Sequence, residues 1–213
     1  MSHSISIKSV KNSKVDTLDF DTIALGRTFT DHMFICDYEN GQWNNPRVEP
    51  LELIPTHPAA MALHYGQAIF EGMKATIDAE GTPMLFRPSK NAARLNFSAD
   101  RMGMPDFPED LFVEGLKQLV SVEKSWIPPQ EGSALYLRPF MYADEPFIGM
   151  RAATSFKFII IASPSGPFFT PCLRTWPLQL PRRPPHFGQD QEQCWRKPST
   201  RSLTAAINYY YCS

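Results

Sequence analysis

The sequence predicts an α+β fold. Three features carry that expectation: two stretches with helical spacing of apolar residues lie together in mid-chain, β-branched and aromatic runs lie before and after them, and Gly, Pro and Asn punctuate the joins. Strand, helix, helix, strand, strand is the order of helices laid on one sheet. A doubly wound parallel sheet needs strict alternation instead.

Residues 1–20 read as a polar lead-in. The next stretch, "DTIALGRTFTDHMFICDYENGQW", reads as strand, break, strand and turn, with "ENG" as the turn of a hairpin. In "MLFRPSKNAARLNFSADRM" the period changes at Pro88: an apolar strand ends, Ser89 stands where a helix cap is needed, and Ala92, Leu95, Ala99 and Met102 recur at helical spacing. "PEDLFVEGLKQLVSVEKSW" is the clearest helix, opened by Pro108, Glu109 and Asp110, with Phe112, Leu116, Leu119 and Val120 on one face that must pack on a sheet. "SALYLRPFMYADE" and "SFKFIIIASPSG" supply further strands. After Gly166 neither period persists, and prolines interrupt both kinds of element.

Of the 213 residues, 43% are apolar and 20% charged, an ordinary balance for a globular chain. No apolar run approaches the roughly 18 residues of a membrane span. The opening lacks the apolar core of a secretory signal, so a cytoplasmic location and no membrane are the expectation. A net charge of −1 without a dense Lys/Arg block argues against a nucleic-acid partner. The four cysteines show no zinc-site spacing, and no metal is expected.

The average hides a break near Phe169. Residues 170–213 hold six basic and two acidic residues, six of the 20 prolines and three of the four cysteines. An irregular segment is the expectation there.

Three local features could carry chemistry. Arg94 follows a strand-to-helix turn, where a guanidinium and helix-start amides can converge on a phosphate; a solvated helical arginine is the plainer account. Tyr136 and Arg138 alternate on one strand and so share a face, as a substrate-binding pair or as a surface pairing. "HYGQAIFEGMKA" sets two glycines beside aromatics and a glutamate, a close backbone approach to a ligand or a tight turn.

Five blocks, "LGRTFTDHMF", "LHYGQAIFEGMKA", "LFRPSKNAARL", "SALYLRPFMYADEPFIG" and "FIIIASPSGPFF", together resemble the branched-chain amino acid aminotransferases, pyridoxal phosphate enzymes of fold type IV. The likeness covers residues 21–169 and implies that they form the small N-terminal α+β domain of that fold. It implies that Arg94 holds the phosphate of pyridoxal 5'-phosphate, that Tyr65 lines the substrate side-chain pocket, and that Tyr136 and Arg138, offered from the neighbouring region or across a dimer, help shape the pocket and receive the substrate carboxylate. Leu25 stands at a pocket position that is often aromatic in the family. The activity implied is transamination of L-leucine, L-isoleucine and L-valine with 2-oxoglutarate, by a homodimer. Within the same fold, D-amino acid aminotransferases and aminodeoxychorismate lyases match the first two blocks less well.

The family's Schiff-base lysine lies in a later segment resembling R-A-A-P, a glycine turn, then K-x-G-G-N-Y, and these 213 residues contain no such segment. No catalytic residue is therefore assigned. Lys74 and Lys90 stand where the family has no catalytic lysine, and Lys197 lacks the glycine turn. A shift of reading frame accounts for the break: read one nucleotide later, codons for Pro181-Arg182-Arg183-Pro184 can encode Arg-Ala-Ala-Pro, those for Gln189 and Gln191 can encode lysine, and those for Trp195-Arg196-Lys197 can encode Gly-Gly-Asn. The alternative function is that of a non-catalytic truncated fragment or a dimerisation partner of an intact enzyme.

Overall fold

The computed structural model describes residues 4–23 and 26–166. The expectations for Leu25, Lys197 and the segment 170–213 lie outside the described residues.

One mixed sheet dominates the described part. Its strands are β1 (Ser6–Ile7), β2 (His32–Glu39), β3 (Gln42–Pro50), β4 (Ala68–Phe70), β5 (Met73–Ile77), β6 (Pro83–Leu85), β7 (Ala134–Ala143) and β8 (Phe156–Ser165). The order is β1-β3-β2-β8-β7-β5-β6, and β4 pairs with β7 alongside β5. Only β1 runs parallel to its neighbour; every other pairing is antiparallel. The α+β class holds, with the helices gathered on one face.

The hairpin expected from "ENG" is β2–β3. Asn40 and Gly41 both take positive φ, 54° and 80°, between the paired residues Glu39 and Gln42, which is the two-residue turn whose twist matches the strands. Register shifts between Ile35 and Asp37, opposite Asn45 at φ 54° and Pro46, so the proline sits in a bulge where no ladder donor is required. Among the described residues just after residue 20, no strand is found where one is expected. Asp21 and Thr22 lie instead in a turn that Asp19 organises by accepting from the Asp21 amide and the Thr22 hydroxyl.

Three α-helices complete the described part: α1 (Met61–Tyr65), α2 (Pro88–Arg101) and α3 (Glu109–Val122). Ser89 does not cap α2. Pro88 occupies the first turn, where its missing N–H costs nothing, and Arg87 precedes it at φ 48° with no side-chain cap. The expected apolar faces hold except at Met102, which follows the last residue of α2 and is exposed: Ala92, Leu95 and Ala99 of α2 and Phe112, Leu116, Leu119 and Val120 of α3 are buried. They meet Phe34, Cys36, Leu135, Leu137, Phe158 and Ile160 in the main core. Phe158 is its centre, stacked on Phe107 at 3.8 Å and edge-on to Phe34 at 6.1 Å.

A buried polar group ties the lead-in to this frame. Asp31 accepts from Ser13 Oγ at 2.5 Å, the Lys14 amide and Trp126 Nε1. His32 Nε2 accepts from the Val10 amide at 2.9 Å, so its Nδ1 carries the proton and donates it to Glu123, the residue after α3.

Candidate functional site

The positions singled out in the sequence gather at β7 and the chain that runs along it. β4 and β5 keep one register on β7, Phe70 opposite Phe140 and Met73 opposite Leu137. Between them, the Glu71 amide donates to Pro139 O at 2.8 Å. Pro139 has no N–H to offer on that same side, which is why the regular ladder lapses for two residues.

Strand alternation then sorts the side chains. Ile69, Glu71 and Met73 point to the helices, and Ile69 and Met73 join the main core there. Phe70, Gly72 and Lys74 fall on the opposite face with Tyr136, Arg138 and Phe140. The sequence expectation that Tyr136 and Arg138 share a face is correct. Their contact is a hydrogen bond: Arg138 Nη2 donates to the Tyr136 hydroxyl at 2.7 Å. The Arg138 guanidinium also lies 4.3 Å over the Phe70 ring, and its Nε–H is buried with no partner among the described residues.

Gly72 owes its identity to this pair. A Cβ there would lie 2.6 Å from the Tyr136 hydroxyl oxygen, closer than any real contact allows. The close backbone approach suspected in "FEGMKA" is therefore to a side chain of the protein itself.

Arg94 stands in the second turn of α2. Its partner is Glu71. Nε donates to Oε1 at 2.7 Å and Nη2 to Oε2 at 2.6 Å, a two-pronged pairing that raises the pKa of the guanidinium. Asn91 Nδ2 donates to the same carboxylate at 2.9 Å. Glu71 is 4% exposed in its side chain while that of Arg94 is 65% exposed, so the carboxylate is sealed and the cation faces outward.

Tyr65 ends α1 beside Gly66, whose φ of 64° lets its amide return to Ala62 O. Gln67 then locks the segment: its amide donates to Met102 O and accepts from the Ala153 amide. Tyr65 is 43% exposed, and among the described residues no hydrogen bond or ring contact joins it to Tyr136 or Arg138. The structure thus brings Tyr136 and Arg138 together on β7, pairs Arg94 with Glu71 on the helix side, and joins Tyr65 to neither by a hydrogen bond or ring contact among the described residues. Phe70, Glu71, Gly72 and Asn91 were missed as site residues. The signal for Glu71 was a lone acid in an apolar strand pattern, which calls for a buried partner.

Among the described residues there is no group of three or more His, Cys, Asp or Glu that could hold a metal ion, and no helix is long and apolar enough to cross a membrane.

No family model matches the chain. Among curated proteins it is 45% identical over 166 residues to branched-chain-amino-acid aminotransferase 2 of Bacillus subtilis, an alignment that covers 78% of this chain and 45% of that one. It is 47% identical over 146 residues to the branched-chain-amino-acid aminotransferase of Mycolicibacterium smegmatis, covering 68% of this chain and 40% of the relative. Among solved structures, the branched-chain amino acid aminotransferase of Escherichia coli matches with a TM-score of 0.50 at 24% identity, over 66% of this chain and 42% of that one. The chain spans less than half the length of each.

Proposed function

We propose, from 45–47% identity over most of this chain to parts of curated branched-chain-amino-acid aminotransferases, that its described residues form the small-domain side of a transaminase site. The substrates of that site are L-leucine, L-isoleucine, L-valine and 2-oxoglutarate, its cofactor is pyridoxal 5'-phosphate, and the enzyme works as a cytoplasmic homodimer. The observation that carries the reading is that two guanidinium groups are held in fixed orientations, Arg94 by Glu71 on the helix side and Arg138 by Tyr136 and Phe70 on the opposite face of the sheet, from which it is offered across the dimer.

Both fit the group. An exposed guanidinium fixed along one edge by a buried carboxylate suits a phosphate, which assigns Arg94 to the cofactor. A second guanidinium with a buried, unpaired N–H suits a carboxylate, which assigns Arg138 to the substrate. When bound, pyridoxal 5'-phosphate supplies an aldehyde and an electron-withdrawing ring that take up the amino group and spread the charge left at Cα. Tyr136 orients Arg138 through its hydroxyl. Tyr65 belongs to the side-chain pocket, completed by the rest of the dimer.

A second reading is favoured by the sequence, which holds no segment like the family's lysine segment. In it, this polypeptide binds phosphate but does not transaminate, acting as a fragment or as a partner to an intact enzyme. The frame shift over residues 170–213 belongs with this reading. One experiment separates the two. The chain is mixed with pyridoxal 5'-phosphate, treated with borohydride and weighed by mass spectrometry, while leucine and 2-oxoglutarate turnover is followed in parallel. Turnover with a stoichiometric lysine adduct supports the enzyme; cofactor retention with neither supports the fragment, and no retention by any variant or wild type sinks both.

A further inference from the structure

We propose that Glu71 is a positioning residue for anion binding, and that its buried carboxylate, rather than the start of α2, aims the Arg94 guanidinium at the phosphate. The proposal rests on the assignment of Arg94 to a phosphate made above. The geometry behind it is specific. Two of the three nitrogens of Arg94 are engaged by the two oxygens of Glu71, so the planar fork can no longer rotate about its stem. The third nitrogen, Nη1, makes no hydrogen bond to a described residue and is the edge left for a ligand. Glu71 itself cannot swing: it is sealed in the sheet edge, its own amide is held by Pro139 O, and Asn91 donates to its Oε2.

Electrostatics alone argues the other way, which makes the proposal testable by sign. A carboxylate beside Arg94 cancels charge and should weaken phosphate binding. If positioning dominates, neutralising Glu71 weakens binding; if charge cancellation dominates, it strengthens binding.

The test uses the full 213-residue chain and inorganic phosphate as the probe, followed by the Arg94 Nε–H resonance in an arginine-labelled sample. Glu71→Gln is expected to weaken phosphate binding by about fivefold and to lower the order of the Arg94 side chain, and Glu71→Asp to recover part of both. Equal or tighter binding in Glu71→Gln overturns the proposal. The underlying assignment is checked by Arg94→Met: if that variant binds phosphate as wild type does, Arg94 is not the anion site and the proposal falls with it. If Arg94→Met loses binding while Glu71→Gln keeps it, only the positioning role is lost. Should Glu71→Gln fail to fold, Asn91→Ala removes the third hydrogen bond to the same carboxylate. A fall in affinity of about twofold or more supports the proposal, and no fall overturns it.

Discussion

At the scale of single residues, the space at Gly72 is an exacting constraint. A methyl group there would sit 2.6 Å from the Tyr136 hydroxyl oxygen and drive the ring aside. Gly72→Ala should therefore destabilise the domain by about 1–3 kcal/mol, the usual cost of overpacking. Adding Tyr136→Phe, which removes the clashing oxygen, should recover most of that loss in denaturant unfolding. A double variant no more stable than Gly72→Ala would show that the ring is not the obstacle.

Titration gives two further residue-scale predictions. Burial pushes the Cys36 thiol up to about 12, so at pH 8 it is neutral and enclosed. Peptide mapping after iodoacetamide treatment should find Cys36 unmodified in the native protein and modified in denaturant. Glu145 behaves oppositely: hydrogen bonds from Arg151 and then from the Thr154 amide lower it from 4.5 to about 2. A depressed carboxylate favours the folded state above its unfolded value of 4.5, and this contribution disappears as pH falls through about 2. The stability gap between wild type and Glu145→Gln should accordingly close as pH drops across that window. A gap that stays constant would mean the Arg151 pairing is lost in solution.

At the scale of elements, α3 shows how a helix is fitted to a sheet. Gly115 sits mid-helix, where glycine costs about 1 kcal/mol relative to alanine. Its lack of a side chain lets the Phe34 ring of β2 approach, for a Cβ there would lie 2.9 Å from two ring carbons. Both atoms are core, so the gain in helix propensity competes with overpacking, and Gly115→Ala should come out destabilising by about 1 kcal/mol. Pairing it with Phe34→Leu should produce a smaller loss than the sum of the two single changes. Strict additivity in that cycle would contradict the proposed contact.

At the scale of the whole molecule, legibility in the sequence followed the range of the interaction. The hairpin, α2, α3, β7 and β8 were readable because their signals are local: Asn-Gly at a turn, apolar spacing of helices, and the "FIII" run. The Tyr136–Arg138 pair was readable because alternation is also local. β4 and β5 were not, since three- and five-residue strands separated by Glu71 and Gly72 carry too little pattern, and their register is set by β7 far along the chain. The same limit hid the Glu71–Arg94 pairing. It also hid the buried group formed by Asp31, His32, Glu123 and Trp126, whose members come from two stretches about 90 residues apart in sequence.

That buried group links the lead-in, β2 and the residue after α3. Burial raises the pKa of Glu123, although the hydrogen bond from His32 opposes the rise. His32→Phe would remove the donor, leave the carboxylate buried without it, and release the Val10 amide from its acceptor. The expected cost is about 1–3 kcal/mol, the range for a buried acceptor left unsatisfied. The pH dependence has a definite sign. A carboxylate with a raised folded pKa works against folding once the unfolded chain ionises, that is, above 4.5. The variant, lacking the His32 donor, should have Glu123 raised further, so its deficit relative to wild type should grow as pH rises past the raised folded pKa of Glu123 in the wild type and stay smallest below it. Hydrogen exchange at Val10 supplies the second readout: protection should fall sharply in the variant even at the pH where the stability gap is smallest. If Val10 stays protected there, the lead-in is held by β1 and Asp31 alone, and His32 acts on α3 without joining it to the chain's first residues.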